Sequence, residues 1–573
     1  MWRFTSMADL FNIIKASIFS TLLIIFFFLF SPHRFIGFSR SAFIIDWCLT
    51  ILFICGFRIA IRIYFVHLSE NDSWIEAARV FWLILTRKQI AKKNLLIIGA
   101  GNCGDKIYRE IRDNSTLRYN VVGFIDDDPK KVGMKIHGVP VLGQTKDINL
   151  AAEKADADEV LIAIPSANSH QMRHIIENCK KCGLTFKTIP GVGELINGKV
   201  SINSIREVAY RDLLGRESIK LDEEGIGAYL KGQSVIVTGA GGSIGSELCR
   251  QICRFHPDRI VLYERAESPL YEIELELKHR FKNTEIVVLL ADIQDKKQIE
   301  KAFKAHRPQT VFHAAAYKHV PMLELQPWKA IENNIIGTIN LIEMAEKFGV
   351  ERFVLVSTDK AVRPTSIMGA SKRVTEMLIQ NQNIRSASAT RFMTVRFGNV
   401  VGSVGSVVPL FKKQIQEGGP VTVTHPEVTR FFMTIPEACQ LILQAGAMGN
   451  GGEIFILDMG TPIKIDDMAR DLIRLSGLQP DVDIKIEYVG LRPGEKLYEE
   501  LITEGENIVP TSHDKIMVLK GTEFNLQLLN GKINELACLA EEQVGDEIKL
   551  KLKEIVPEYA VFDASATEIC DIN

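Results

Sequence analysis

SVIVTGAGGSIGSEL, residues 234–248, decides the fold. Ser234 to Thr238 is a β-branched strand that stops at Gly239, and Gly239, Gly242 and Gly245 then recur at intervals of three, with Ser243 and Ile244 between the last two. Glycines at this spacing allow a tight strand-to-helix turn and bring a phosphate close to the helix amino end. Working outward, Arg259 to Tyr263 is a second strand ending at Glu264. A third, Ile286 to Leu290, ends at Asp292 and Ile293, and a fourth, Thr310 to His313, runs into Ala314, Ala315 and Ala316. Four strand ends in this order describe a dinucleotide site. Glu264 is placed to accept from both ribose hydroxyls and to repel a 2′-phosphate, which favours NAD over NADP. Arg265 follows at once and is placed to hold that phosphate in the alternative. Asp292 and Ile293 are placed to meet the adenine, and the three alanines let the cofactor lie against the strand end.

Upstream, Asn94 to Gly99 reads as a buried strand opening into Gly99-Ala-Gly101-Asn-Cys-Gly104 and a helix through Ile111. Val121 to Ile125 is a second strand ending at Asp126, and Val160 to Ile164 supplies another. This is a Rossmann-type pattern, and nucleotide binding and a purely structural role are equally open for it. Ahead of it, Phe11 to Phe30 is apolar, and no Lys, Arg, Asp or Glu occurs from Ala16 to His33. That is long enough to span a bilayer. A second stretch, Ala42 to Phe57, contains Asp46 and runs into Arg58 and Arg62; extended to about Leu68 it makes a second span. No small-residue cleavage site follows the first stretch, which argues against a signal peptide. Arg58, Arg62, Arg79, Arg87, Lys88, Lys92 and Lys93 follow the second span, against Arg34 and Arg40 between the two. The positive-inside rule therefore expects everything after residue 68 in the cytoplasm.

Lys+Arg 68 against Asp+Glu 70 gives a formal charge of −2 over 573 residues, with no global field favouring nucleic acid. The ten cysteines form no disulfide-like framework, and Cys179-Lys-Lys-Cys182 lacks the second ligand pair a zinc site needs, so no metal is expected. The expected fold class is α/β: two Rossmann-type doubly wound domains in series after an N-terminal transmembrane helical segment, with a small C-terminal substrate-binding part. The boundaries are 1–93 for the membrane and juxtamembrane helices, 94–200 for the first Rossmann-type domain and 201–232 for a linker. Residues 233–510 form the catalytic domain, and 511–573 a strand and helical tail.

Six segments carry a family resemblance: DLLGR at 212–216, TGAGGSIGSEL at 238–248, HAAAYKHVPMLE at 313–324, STDKAVRPTSIMGASK at 357–372, RFGNVVGSVGSVVPLF at 396–411 and GLRPGEKLYEEL at 490–501. The chain resembles the membrane-anchored nucleotide-sugar 4,6-dehydratases of bacterial polysaccharide and glycoprotein-glycan biosynthesis, an extended branch of the short-chain dehydrogenases. The match is dense over roughly residues 200 to 510. It implies a UDP-N-acetylglucosamine 4,6-dehydratase with bound NAD, homo-oligomeric, held at the bacterial inner membrane with its catalytic domain in the cytoplasm. Members of the family often carry four spans, and this chain shows two.

The resemblance also implies roles. Met368 stands where such sites carry a tyrosine base, and a thioether has no exchangeable proton. Lys372, four residues on, is expected to hold the cofactor ribose, and Thr358 to orient the sugar 4-hydroxyl. Asp359 is the expected acid at the departing 6-hydroxyl and Lys360 the expected base at carbon 5, with burial raising the first pKa and lowering the second. Lys318 and His319 are expected near the pyrophosphate or sugar, and Asn333 behind the catalytic loop. Arg396 and Asn399 are expected near the nucleotide, with Arg430, Arg492 and Glu495 in the substrate part. An inverting dehydratase, a nucleotide-sugar epimerase and a catalytically silent, membrane-tethered nucleotide sensor are the alternatives. An epimerase is expected to keep the tyrosine and to lack the Asp-Lys pair.

Overall fold

The computed structural model describes residues 7–30, 41, 44–50, 52–54, 56, 92–113, 118–167, 169–181, 184–189, 206–207, 210–214, 219–384, 389–502, 508–519 and 526–561. The chain divides into two compact units, 1–92 and 93–573. In the first, α1 (Met7–Phe30) carries exposed Phe19, Leu22, Leu23 and Phe26. Counting only residues whose side chains are described, no helix is long and apolar enough to cross a membrane, so the expected pair of spans is not supported. Most of the second expected span, and Arg58, Arg62, Arg79, Arg87 and Lys88 after it, lie outside the described residues.

The second unit opens with a seven-stranded sheet. Its strands are β1 (Lys93–Ile98), β2 (Tyr119–Ile125), β3 (Lys135–Ile136), β4 (Val139–Gly143), β5 (Glu159–Ile162), β6 (Thr185–Thr188) and β7 (Arg206–Glu207). They lie in the order β3-β4-β2-β1-β5-β6-β7, parallel from β4 to β6. Alternation divides β1 between two cores: Leu96 and Ile98 join one cluster, Leu95 and Ile97 the other. Helix α2 (Asn102–Asp113) follows β1, and α3 (Ile148–Lys154) and α4 (Ser169–Lys181) complete the layers. Gly99 has φ +107°, and a Cβ on Gly104 would lie 2.0 Å from the Gly99 carbonyl oxygen, so the turn requires both glycines. Within the expected linker, Tyr210 and Leu213 are buried in the same cluster as Leu96 and Ile98. Helix α5 (Glu223–Leu230) buries Ile226, Tyr229 and Leu230.

A nine-stranded sheet follows. Its strands are β8 (Ser234–Thr238), β9 (Arg259–Glu264), β10 (Glu285–Leu290), β11 (Thr310–His313), β12 (Arg352–Val356), β13 (Arg391–Arg396), β18 (Ile454–Leu457), β21 (Ile508–Pro510) and β22 (Ile516–Leu519). Their order is β10-β9-β8-β11-β12-β13-β18-β22-β21, and only the last two run antiparallel to their neighbours. The direction of winding reverses between β8 and β11, which opens a crevice at the carboxyl ends of those strands. This is the doubly wound α/β arrangement that the spacing of strand ends predicts. Helices α6 (Ser243–Cys253), α7 (Glu267–Arg280) and α8 (Lys296–His306) connect the first strands. After β11 come α9 (Val320–Leu325), α10 (Pro327–Ala330), a π-helical turn (Ile331–Ile336) and α11 (Gly337–Phe348). Helix α12 (Ile367–Ile384) joins β12 to β13.

The substrate part is built from β14 (Asn399–Val400), α13 (Val407–Gln416), β15 (Val421–Val423), β16 (Thr429–Arg430), β17 (Phe432–Met433), β19 (Ile463–Lys464), α15 (Ile465–Leu475) and β20 (Ile486–Tyr488), with α14 (Ile435–Met448) running back to the sheet. The tail forms a helical pair, α16 (Leu526–Glu541) and α17 (Gly545–Ile555). Leu529, Ile533, Leu536, Ile548, Leu552 and Tyr559 enter the same core as Ile335, Ile367 and Met368. Arg373 of α12 bonds Glu558 at 3.0 Å, and the Ala560 N–H donates to the Pro364 carbonyl at 2.9 Å.

Candidate active site

The crevice between β8 and β11 is shaped by missing side chains. Gly239 has φ +69°, and a Cβ there would lie 2.8 Å from the Ala315 nitrogen; one on Gly245 would lie 2.0 Å from the Gly239 carbonyl oxygen. The α6 amino end, starting at Ser243 behind Gly242, points its free N–H groups into this space. Glu264 accepts from the N–H groups of Gly241, Arg265 and Ala266, which fixes its carboxylate beside the turn. These residues fit a nicotinamide dinucleotide, with the pyrophosphate at the α6 amino end and the adenosine ribose at Glu264. Arg265 lies 4.2 Å over the Tyr317 ring, donates to the Tyr317 hydroxyl and sits 3.9 Å from Asp292. Because β8 lies between β9 and β11, this bridge crosses over the turn. Ile293 is buried, with its side chain beneath Gly337. Gly245→Val is expected to cost most of the dinucleotide affinity, measured by equilibrium dialysis; unchanged binding would remove the crevice as the cofactor site.

Behind the crevice the polar groups are paired. His313 is fully buried between the Thr238 and Thr338 hydroxyls, and burial, with Lys372 nearby, brings its pKa down to about 3. Lys372 is itself 5% exposed, and burial, partly offset by Glu376, lowers its pKa to about 8. Asn334, in the π-helical turn, was not legible as a site residue. It accepts from the Tyr317 N–H, and its amide donates to the Tyr317 carbonyl and to Ser371, tying the crevice wall to α12. π-turns recur at functional sites, but nothing in the local sequence announces this one.

Strand β12 delivers the reactive turn. Thr358 caps a short 3₁₀ turn, Asp359–Ala361, and its hydroxyl donates to Asp359 Oδ1 at 2.9 Å. Lys360 Nζ donates to Asp359 Oδ1 at 2.9 Å and to Asn399 Oδ1 at 3.1 Å. Asp359 is 0% exposed, and its Oδ2 has no hydrogen-bond partner among the described residues. A Cβ on Gly398 would come within 2.9 Å of that oxygen, and one on Gly369 within 2.2 Å of the Lys360 carbonyl, so glycine is required on both sides of the turn. The expectation that Lys360 is depressed does not hold. Burial lowers its pKa, but Asp359 and then Glu499 more than offset this, and the ammonium is held above its ordinary value.

A cavity of about 150 Å³ opens beside Lys360, lined among others by Ser366, Arg430, Arg492, Glu495, Lys496 and Glu499. Arg430 donates to the Thr429 and Leu497 carbonyls and to Glu495 at 3.1 Å. Arg492 is exposed at the rim. Other expected site residues lie elsewhere. Arg396 cannot meet a nucleotide: it is 0% exposed and bonded to buried Glu376. Asn333 is buried behind the crevice, donating to Asn334. Lys318 reaches the Val404 carbonyl at 3.0 Å and His319 packs on Gly405; the Val404 N–H donates to Ser243 Oγ at 3.2 Å, so both border the loop that meets the α6 amino end, outside the cavity lining. Met368, in the first turn of α12, is 4% exposed and packs in the core.

A family model described as polysaccharide biosynthesis protein matches residues 235–521. The capsular polysaccharide biosynthesis protein CapD of Staphylococcus aureus is 42% identical over 520 residues, 90% of this chain and 83% of that protein. The chain belongs to the polysaccharide biosynthesis protein family. A second model, described as a CoA-binding domain, matches residues 1–190 of this polysaccharide biosynthesis protein. A UDP-N-acetylglucosamine 4,6-dehydratase (inverting) of Campylobacter jejuni is 33% identical over 311 residues, 52% of this chain and 89% of that one. Pen from Bacillus thuringiensis, known from an X-ray structure, shares 34% identity over 51% of this chain and 90% of its own, with a TM-score of 0.47. The crevice, the Asp359–Lys360 turn and the cavity of this polysaccharide biosynthesis protein all lie inside the matched segment 235–521. Nucleotide-sugar dehydratases and epimerases are its relatives over that segment.

Proposed function

We propose that the protein is a UDP-N-acetylglucosamine 4,6-dehydratase that uses bound NAD and retains configuration at carbon 5. The observation that carries this reading is the Asp359–Lys360 pair, 2.9 Å apart at the end of β12, between a dinucleotide crevice and a cavity that offers Lys360, Arg430, Arg492 and Lys496 to a diphosphate. Glu264 fixed at the ribose end, with Arg265 turned onto Tyr317, favours NAD over NADP.

A nicotinamide dinucleotide held by the Gly239–Gly245 turn, Glu264 and Lys372 would supply a hydride acceptor for carbon 4 and a hydride donor for carbon 6, with none consumed overall. The protein supplies protons and position. Thr358 orients the 4-hydroxyl, and buried Lys372 holds the cofactor ribose. Oxidation at carbon 4 acidifies the carbon 5 hydrogen. Lys360 takes that proton, Asp359 gives one to the departing 6-hydroxyl, and water leaves. The pair holds a single proton between its members. The ion pair of the resting site and the reactive form, neutral amine beside carboxylic acid, differ only in which partner carries it. Lys360 afterwards returns a proton to carbon 5, and water, which takes up the 4-hydroxyl proton on oxidation, gives one back to Asp359, so the pair again holds a single proton. Substrate in the cavity displaces water and favours the uncharged form.

The test is incubation of the detergent-solubilised protein with UDP-N-acetylglucosamine, followed by mass spectrometry. Loss of one water without net release of reduced coenzyme is expected; stoichiometric release, or an unchanged sugar, overturns the reading. Inversion at carbon 5 is the second reading, favoured by the activity named for the Campylobacter relative. Proton NMR of product made in heavy water separates the two, and a 4-epimer in that spectrum sinks both. We also assign α1 as an anchor in the bacterial inner membrane, with the catalytic unit in the cytoplasm. The support is the uncharged stretch from Ala16 to His33 and the exposed Phe19, Leu22, Leu23 and Phe26. Release of the protein from membranes by salt alone would remove that assignment.

A further inference from the structure

We propose that Glu499 is a positioning residue for proton transfer by Lys360, completing a cradle in which two carboxylates and one amide oxygen hold a single ammonium. The inference rests on the dehydratase reading of the same site. Glu499 comes from the far segment of the substrate part, and its side chain is 3% exposed. Its Oε1 lies 3.4 Å from Lys360 Nζ and 3.7 Å from Arg430 Nε. The segment is pinned there: Thr429 bridges Tyr498, the Thr429 N–H donates to the Leu497 carbonyl, and Arg430 donates to that carbonyl too. Glu499 Oε2 is buried, lacks a hydrogen-bond partner among the described residues, and belongs to the wall of the cavity. A buried carboxylate left half-satisfied is costly, so its place beside the reactive amine calls for a reason.

The geometry supplies one. An ammonium has three donors: Lys360 hydrogen-bonds Asp359 Oδ1 at 2.9 Å and Asn399 Oδ1 at 3.1 Å, and Glu499 Oε1 faces it as an ion-pair contact at 3.4 Å. They come from the 3₁₀ turn, from β14 and from the substrate part, so closure of the substrate part onto the sheet fixes where Nζ sits. A neutral amine has only two donors. Once the proton has passed to Asp359, a turn about the Cε–Nζ bond lets the amine keep its contact with Asn399 and point its lone pair toward the cavity, the side on which Glu499 lies. The charged groups around Lys360 are Asp359, Glu499 and Arg430, with Lys496 beside the two carboxylates. Of the two anions only Glu499 is free of the acid role, so it sets how readily Lys360 yields its proton without taking part in the departure of water.

The experiment is the pH profile of kcat/KM for water loss in Glu499→Gln and Glu499→Asp, with the bound-dinucleotide content of each as a check on folding. Removing the charge lowers the Lys360 pKa, so the rising limb should move to lower pH by about 1 unit or more in the Gln variant. The Asp variant, which keeps the charge, should hold the limb near its original place. A limb that stays put in Gln, or moves equally in both, overturns the proposal while leaving the dehydratase reading intact. Should the Gln variant fail to bind dinucleotide, the Asp variant decides: a limb displaced as far as 1 unit overturns the proposal, and one in its original place supports it. An absence of water loss in the wild-type protein is the distinct failure of the underlying reading.

Discussion

Asp359→Asn should lower the rate of water loss by about 10²–10⁴-fold while dinucleotide binding survives, the range typical of a positioned proton-transfer group. The amide keeps the shape and still accepts from Thr358 and Lys360, so the 3₁₀ turn should stand. What it cannot do is release a proton to the 6-hydroxyl. Lys360→Met should be comparably damaging for the opposite reason, since no base then faces carbon 5. It carries a structural cost as well: Asp359 is fully buried, and without the ammonium its carboxylate keeps only the Thr358 hydroxyl at Oδ1. Comparing the two variants by single-turnover formation of reduced coenzyme separates the steps. Oxidation at carbon 4 should persist in Asp359→Asn, leaving reduced coenzyme visible on the protein. Full turnover in both variants would refute the roles assigned to the pair.

The second large effect lies one layer down. Arg396 and Glu376 are both 0% exposed and joined by two hydrogen bonds, 2.7 and 3.1 Å, tying β13 to α12. Glu376 also accepts from Ser357, at the start of the reactive turn, at 2.7 Å. Burial pushes the Glu376 carboxyl up, but Arg396 more than offsets it, and the group is held below its ordinary value. Arg396→Met should therefore destabilise the protein by about 3–5 kcal/mol, because a buried carboxylate loses its main counter-charge. The double variant Arg396→Met with Glu376→Leu should recover much of that loss. The sign with pH follows from the depressed value: in the wild type this stabilisation is complete above the ordinary carboxylate pKa and fades as pH falls through the folded value. The gap between wild type and Arg396→Met should thus be widest at neutral pH and narrow on acidification, by denaturant unfolding. A cost below about 1 kcal/mol would mean that the pair does not brace the turn.

These two layers show how far the residues alone can be read. The glycine turn and the strand ends at Glu264, Asp292 and Ala314 were legible because a dinucleotide crevice needs small residues and a carboxylate at set distances along one chain. Asp359 and Lys360 were legible as a pair for the same reason. Arg396 was misread, since an arginine that follows an apolar strand looks the same whether it faces a phosphate or a buried glutamate twenty residues away in the chain. Lys360 was given the wrong direction because burial was weighed above the adjacent Asp359, and Glu499, supplied by another part of the fold, was not visible. Asn334, Gly369 and Gly398 act through contacts made only after helix, turn and substrate part have met.

The helical pair at the carboxyl end makes the order of synthesis matter. Tyr559 lies in the core beside Ile367, and Ala560 grips the backbone at Pro364. A ribosome that has already released the glycine turn and the reactive lysine still shields the stretch that braces them. The helix bearing Lys372 gains its last packing partners only from residues past 526, and a stop after β22 would yield a chain with every reactive group present but without Leu529, Ile533, Leu552 and Tyr559 in the core beside Met368.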